Sequence, residues 1–274
     1  NGRAGKPQIT FSTKLSYSPK FDIDRLNLLT SDEKVNLELD LLQSDYTYRE
    51  NKGEVARIIS RYGLTNAYKN GGWSALSTQA QNEITNLRSI NTDWNDILFR
   101  GTFNQEYNVS LSGGSEKATY YTSLGYNKDD GVSNSSYVDR YTMMMKVDAN
   151  ITKKFRVNLN VNGNIQKKNH VPSEISAINY AYNTTRALPA YDEDGSYYYH
   201  LTQDGYAVGT SNKFRYNILN EIENSSNTYD GNTLMTTMVL RYDLKPRWNI
   251  QVTGSYSRST TEQNTWWGEK TNYV

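Results

Sequence analysis

The stretch FRVNLNVNGNIQ (155–166) puts Phe155, Val157, Leu159, Val161 and Ile165 on one parity. Arg156, Asn158, Asn160, Asn162, Asn164 and Gln166 occupy the other. Successive side chains of an extended chain point to opposite faces, so this is a strand with one dry and one wet face. The same alternation predicts strands over 8–17 (Ile9, Phe11, Leu15, Tyr17), 103–112 (Phe103, Tyr107, Val109, Leu111) and 118–126 (Tyr120, Leu124, Tyr126). It predicts three more over 137–149 (Tyr141, Met143, Met145, Val147), 233–244 (Leu234, Met238, Leu240, Tyr242, Leu244) and 247–257 (Trp248, Ile250, Val252, Tyr256). Met144, Met235 and Val239 are apolar exceptions on the wet parity. Seven amphipathic strands point to an all-β, antiparallel fold. They leave open whether the dry faces meet a core, as in a sandwich, or lipid, as in a membrane barrel.

The connections favour the barrel. GGSEK (113–117), NITKK (150–154) and KPR (245–247) are tight turns. Between them lie NKDDGVSNSS (127–136), a span of roughly sixty residues at 169–228 and one of about eighty-five at 18–102. The usual connection is only ~4–6 residues. Short and long alternate strictly, as they do in outer-membrane barrels with tight turns at one end and long loops at the other. The charges agree: Glu106, Arg140, Lys146, Asp148, Arg156, Arg241, Asp243 and Arg247 all fall on the wet parity, with Asp139 the exception near a long-loop end. A lipid-facing Arg or Lys at the midplane would cost ~2–4 kcal/mol. Dry-parity aromatics gather near strand ends: Tyr120, Phe155, Tyr242 and Trp248 by the short turns, Phe103, Tyr126, Tyr137 and Tyr256 toward the long loops. Trp248 and Tyr256 are separated by roughly 20 Å of height at ~3.3 Å per residue and ~40° tilt, close to the ~25 Å band between aromatic girdles.

Composition narrows the function. Apolar residues make up 36% of the chain, and Tyr (23) far outnumbers Phe (6). Mean hydropathy is −0.79. Alternating strands average out to polar, so this value does not argue against a barrel. A net charge of +1 without a basic stripe gives no case for nucleic acid. The absence of Cys removes disulfides, thiolate zinc sites and cysteine nucleophiles. No run approaches the ~18 apolar residues of a membrane-spanning helix. NGRAGKPQ lacks the apolar centre of a secretory leader, and the chain opens and closes mid-pattern, as a piece of something longer would.

The long loops carry helical signals. TSDEKVNLELDLLQSD (30–45) opens with the capping-box spacing Thr30 to Glu33. Residues 74–90, 91–99 (with Asp93 as cap) and 173–188 also read as helices. Chemistry is sparse. His170 and His200 are the only histidines and lie far apart in sequence, so no zinc site or Ser-His-Asp triad is expected. No catalytic residue and no cofactor are assigned. Asp192 and Asp194 before Gly195 could hold calcium, but a solvated turn accounts for them better. Trp73, Tyr197, Tyr198, Tyr199, Trp266 and Trp267 sit at loop positions. Flat rings with polar rims suit sugars and peptides, which makes these six the candidate ligand-facing aromatics.

One block is distinctive. NTDWNDILFRGTFNQEYNVSLSGGSEKATYYTSLGYNKDDGV (91–132) resembles the SusC/RagA-type TonB-linked outer-membrane proteins. In them a D-W-x-D segment precedes a strand of the form N-x-S-x-S-G-G, followed by Y-Y-x-S-x-G-Y. The matching residues are Asp93, Trp94, Asp96, Asn108, Ser110, Ser112, Gly113, Gly114, Tyr120, Tyr121, Ser123, Gly125 and Tyr126. NGRAGKPQITFS at the start looks like the family's plug-to-barrel junction, and PAYDEDGSY (189–197) is similar to a recurrent loop segment. The resemblance implies a plugged barrel of ~22 strands, to which this chain gives about seven, with helix-containing extracellular loops. On that basis residues 1–6 are the junction and 7–274 partial barrel, with large loops at 18–102 and 169–228. It further implies import of oligosaccharides or peptides across a Gram-negative outer membrane. The implied partners are a SusD-like surface lipoprotein and the TonB complex, the latter through a segment not in this chain. The alternative from another class is a soluble β-sandwich that binds glycans.

If the dry faces meet lipid, the intact protein will leave its membrane only with detergent and will migrate anomalously on gels unless boiled. Extraction into plain buffer would contradict this.

Overall fold

The alternation is that of one antiparallel sheet. The computed structural model describes residues 4–44, 53–203 and 213–274; Asn1, Gly2 and Arg3 of the expected junction lie outside the described residues. In chain order the elements begin with β1 (Gly5–Ser18), α1 (Ser31–Gln43), α2 (Glu54–Arg61), α3 (Thr65–Gly71), α4 (Thr78–Ile90) and α5 (Trp94–Leu98). Four strands follow: β2 (Thr102–Gly114), β3 (Ala118–Asp130), β4 (Tyr137–Asn150) and β5 (Phe155–His170). Then come α6 (Ala177–Asn183), β6 (His200–Gln203), β7 (Lys213–Tyr216), α7 (Ile218–Glu223), β8 (Ser225–Lys245) and β9 (Trp248–Trp267). They fall into two compact units: residues 1–20, 100–172 and 226–266 form a strand unit, and 21–99, 173–225 and 267–274 a mixed helical unit.

The strand unit is a seven-stranded sheet in the order β1-β2-β3-β4-β5-β8-β9. Its register preserves parity from strand to strand. Phe11 faces Val109, Val109 faces Leu124, Leu124 faces Met143, Met143 faces Gly163 and Gly163 faces Leu234. Side-chain hydrogen bonds Thr233–Ser259 and Thr237–Ser255 continue this on the wet face from β8 to β9, setting Leu234 opposite Arg258 and Thr236 opposite Tyr256. On the wet face Arg156 donates to Asp243 (2.6 Å), which also accepts from Arg241 (3.1 Å). The other sheet among the described residues is the two-stranded β6–β7 ladder in the helical unit.

The tight turns explain the glycines of the 91–132 block. Gly114 has φ 144°, and a Cβ there would sit 2.2 Å from the Ala118 carbonyl oxygen. A Cβ on Gly125 would lie 2.5 Å from the Thr142 hydroxyl across the β3–β4 pair. The two long insertions leave from one sheet end, after Ser18 and after His170.

The helical unit has its own core. Val35, Leu39 and Leu42 of α1 meet Val55, Ile58 and Ile59 of α2 and Ala80 and Ile84 of α4. The capping box forms as its spacing predicts, Thr30 with Glu33. Gly53, at the N-terminus of α2, has no side chain to cap with. The Glu38 carboxylate of α1 accepts from the Val55 N–H instead (2.9 Å) and pairs with Lys34 (3.3 Å). An anion suits a helix N-terminus; burial still raises the carboxyls of Glu38 and Glu54 above the usual range. Two predicted helices are shorter. The one expected from 74 starts at Thr78 behind a Ser77 cap and a 3₁₀ turn, and the one at 173–188 covers only Ala177–Asn183, because Thr184 is already extended.

Two inserts are stitched together inside this unit. Asp93 caps α5 by accepting from the Asn95 and Asp96 N–H groups. Buried Trp94 donates its indole N–H to the Thr185 carbonyl (3.1 Å) and packs edge-on against Tyr180 (5.0 Å). Beside it the Thr92 N–H donates to the Arg186 carbonyl, and the Arg186 Nε–H donates back to the Thr92 carbonyl. Tyr180 in turn hydrogen-bonds His200 Nε2 (2.8 Å).

Truncating Ile84 to Ala removes a fully buried side chain and will cost about 3 kcal/mol. Hydrogen exchange should then accelerate in α1, α2 and α4 while β3–β5 keep their protection. Burial holds the His200 imidazole down at about 4. Its neutral form is therefore the folded form: stability present above the unfolded value of ~6.5 declines as pH falls toward 4. In a His170→Gln background the one remaining imidazole resonance should titrate near 4; titration near 6.5 would contradict the burial.

Candidate functional site

Three segments of the helical unit line a polar pocket of about 450 Å³: Lys34, Gly53, Glu54 and Arg57, then Asn183, Thr184, Thr185 and Leu188, then His200 and Leu201. Arg57 pairs with Glu54 (2.8 Å) and donates to the Leu201 carbonyl (3.0 Å), so its charge is held in place by α2 and β6 together. The pocket offers an ammonium, a guanidinium, a carboxylate and hydroxyls over a short span. That set suits hydrogen bonding to a polar, neutral or zwitterionic group. It does not suit nucleophilic chemistry: the neutral His200 ring is spoken for by the Tyr180 hydroxyl. His170 ends β5 opposite Asn227, in the other unit. Among the described residues no group of three or more His, Asp or Glu gathers as a metal site.

The structure separates the six candidate aromatics. Trp73 lies in the 3₁₀ turn before α4, 39% exposed, with its carbonyl accepting from Gln81 (2.9 Å). Tyr199 and Trp266 are also exposed, at 37% and 54%. The other three are engaged. Tyr197 stacks on Tyr191 (5.7 Å) and donates to Glu223 (2.8 Å), and burial first, then this bond, push its hydroxyl up to about 12. Tyr198 is half-buried, tied through its N–H to Ala190. Trp267 stacks on Tyr273 (4.3 Å).

Asp192 and Asp194 belong to the turn that the Tyr191–Tyr197 bridge closes. Asp194 accepts from the Ser196 N–H (2.9 Å); the Ser196 hydroxyl first, then this N–H, lowers its carboxyl, and Gly195 takes the left-handed position at φ 84°. Both features are those of a turn-stabilising aspartate. Missed from the sequence were Glu54 and Arg57, whose short helix α2 has no side-chain cap of its own, and Asn217. The Asn217 amide spans the Ala190 and Tyr198 carbonyls (2.9 Å each) and holds the aromatic turn in place. The Asn217 spacing ahead of ILNEIE was a cap signal that could have found α7.

No family profile matches the chain. Curated proteins do. Over 131 residues, 45% of the chain, it is 34% identical to TonB-dependent receptor P3 of Formosa agariphila. Over 175 residues, 64% of the chain, it is 28% identical to TonB-dependent receptor P26 of the same organism. It is 30% identical over 115 residues to TonB-dependent receptor SusC of Bacteroides thetaiotaomicron. These stretches span only 13%, 17% and 11% of those proteins. The fold is that of the RagAB peptide transporter, at a TM-score of 0.66 and 15% identity, over 96% of this chain and 29% of that one. The closed-closed state of the RagAB peptide importer gives 0.69 and 16% over the same shares. These relatives are receptors and transporters, not enzymes. With a parity-sorted antiparallel sheet and helix-bearing loops, the chain has the fold of part of a TonB-dependent barrel and is similar over these stretches to TonB-dependent receptors of the SusC type.

Proposed function

We propose that this chain is part of an energy-coupled transporter that imports oligosaccharides or peptides through a Gram-negative outer membrane with a SusD-like lipoprotein. The observation that carries this is the sheet's division into a dry face and a face bearing Arg140, Lys146, Arg156, Arg241 and Asp243, preserved through the β3–β4, β4–β5 and β5–β8 pairings. Such a sheet fits a wall between lipid and a watery lumen. β1 and β9 are exposed along nearly their whole length, as open edges that further strands of a ~22-stranded barrel would fill. Residues 1–6 are then the junction with a plug, 7–274 barrel, and 18–102 and 169–228 extracellular loops. The TonB complex supplies energy through a segment beyond this chain.

The fold likeness to a peptide transporter and the similarity to a SusC receptor support the nutrient class. Trp73 and Tyr199 in the loops and Trp266, which the fold places at the end of β9 and not in a loop, are the rings free to stack on substrate, while Tyr197, Tyr198 and, also on β9, Trp267 position the segments around them.

Growth of a deletion strain on a panel of glycans and peptides should fail on one class only. In the complemented strain, Trp73→Ala with Tyr199→Ala should lower uptake of that substrate about tenfold, the equivalent of ~1.4 kcal/mol. Heat-modifiable migration should be unchanged. Growth on every substrate would count against an import role.

A further inference from the structure

The polar pocket of the helical unit is bounded by helix ends of opposite polarity. Gly53 and Glu54, where α2 begins, line it, and so do Asn183 and Thr184, where α6 ends. Backbone N–H groups at a helix start carry a partial positive charge, and the last carbonyls a partial negative one. The last turn of α6 holds no basic residue to offset its carbonyls.

The side chains repeat the pattern. Lys34 pairs with Glu38 (3.3 Å) and Arg57 with Glu54 (2.8 Å), and all four side chains are mostly buried. The neighbouring His200 ring is neutral, so two cations stand against two carboxylates. A ligand of net charge would leave one charge uncompensated where water is scarce, which is strongly unfavourable. A ligand with one charge of each sign adds no imbalance. A neutral sugar finds no ring face to stack on. His200 is the one ring among the described lining residues, and it packs against Tyr180 and Tyr216 (centroids 5.9 and 6.0 Å apart).

We propose that this pocket binds a small zwitterion of amino-acid or dipeptide size, its carboxylate on Arg57 and Lys34 and its ammonium on Glu54 and the carbonyl end of α6. Arg57 is already oriented by Glu54 and by the Leu201 carbonyl (3.0 Å). A guanidinium carries five N–H donors, so a ligand carboxylate joins these acceptors without displacing them. The volume of about 450 Å³ lies in the lower part of the ~300–1,000 Å³ of small-molecule sites, which favours a short ligand over a long chain. The site rests on the geometry of the helical unit alone and stands whether or not the chain takes part in import.

The test is calorimetric titration of the intact, full-length protein in mild detergent. The probes are alanyl-alanine, its N-acetylated form, its C-terminal amide, and glucose. Wild type should bind alanyl-alanine, and blocking either ligand charge should weaken binding about tenfold, as losing a hydrogen bond to a charged group does. Glucose should not bind. Arg57→Gln should weaken alanyl-alanine about tenfold and make amidation of the ligand nearly neutral, since the cation that reads the carboxylate is gone. A merely structural role for Arg57 would weaken every dipeptide alike and would overturn the assignment. Asn183→Trp, at an exposed position on the rim, brings bulk to the cavity without touching the charges and should abolish binding. If Arg57→Gln loses hydrogen-exchange protection in α2, Asn183→Trp decides. The proposal is overturned if wild type ignores alanyl-alanine, if glucose or a blocked dipeptide binds as tightly, or if Asn183→Trp binds like wild type.

Discussion

Backbone pairing that keeps parity along the strands, broken only by the register shift between Gly5 and Gln8 where β1 begins, is the constraint on which this molecule depends. A slip of one residue at any strand interface would carry every side chain of the slipped strand to the other face. On β5 that would put Arg156 and four asparagines where Phe155, Val157, Leu159 and Val161 stand. At ~2–4 kcal/mol for a basic residue at the bilayer midplane, one such slip outweighs the fraction of a kcal/mol that any cross-strand pair contributes. On the proposed reading, lipid on one side and water on the other specify the register. The tight turns refine it: the Gly114 backbone could not carry a Cβ against Ala118, so Ser115–Lys117 close in one geometry.

The helical unit solves a different problem. A chain leaving a barrel end for eighty residues loses conformational entropy wherever it is ordered and must recover it through burial. The unit does so with an apolar core of its own, and its polar contacts serve to join segments remote in sequence. Glu38 of α1 completes the N-terminus of α2; Trp94 binds the 173–225 insert to the 21–99 insert; buried Glu221 accepts from Asn272 and Asn220 and so fastens the 267–274 segment to α7. Each bond serves the same end: the loops present a fixed surface. The D-W-x-D motif is explained by this role, since its first Asp caps α5 and its Trp supplies the buried joint.

What the sequence shows depends on whether the signal is local. The membrane-level strands could be read because their cause, a two-sided environment, repeats at every second residue. α1 and α5 could be read because Thr30 and Asp93 cap their own helices. α2 could not, because its cap comes from another helix, and EVARIISR alone is too short to stand out. The polar pocket was hidden for the same reason. Lys34, Arg57, Thr184 and His200 come from three segments whose meeting depends on the Trp94 joint, and no spacing in the chain encodes that.

The strand ends make the point in reverse. β8 and β9 run to Ser225 and Trp267, well past the 233 and 257 at which alternation stops. Toward the long loops the dry parity turns polar, with Asp230 and Thr228 on β8 and Thr260, Glu262 and Asn264 on β9. With water on both sides, no burial term distinguishes one register from the next. Specific polar contacts take its place: Thr228 to the Asn264 carbonyl, Gln263 to Asn227, Tyr229 to Thr261, and Lys168 over the Tyr229 ring at 5.0 Å. Period-two patterning vanishes where its cause does.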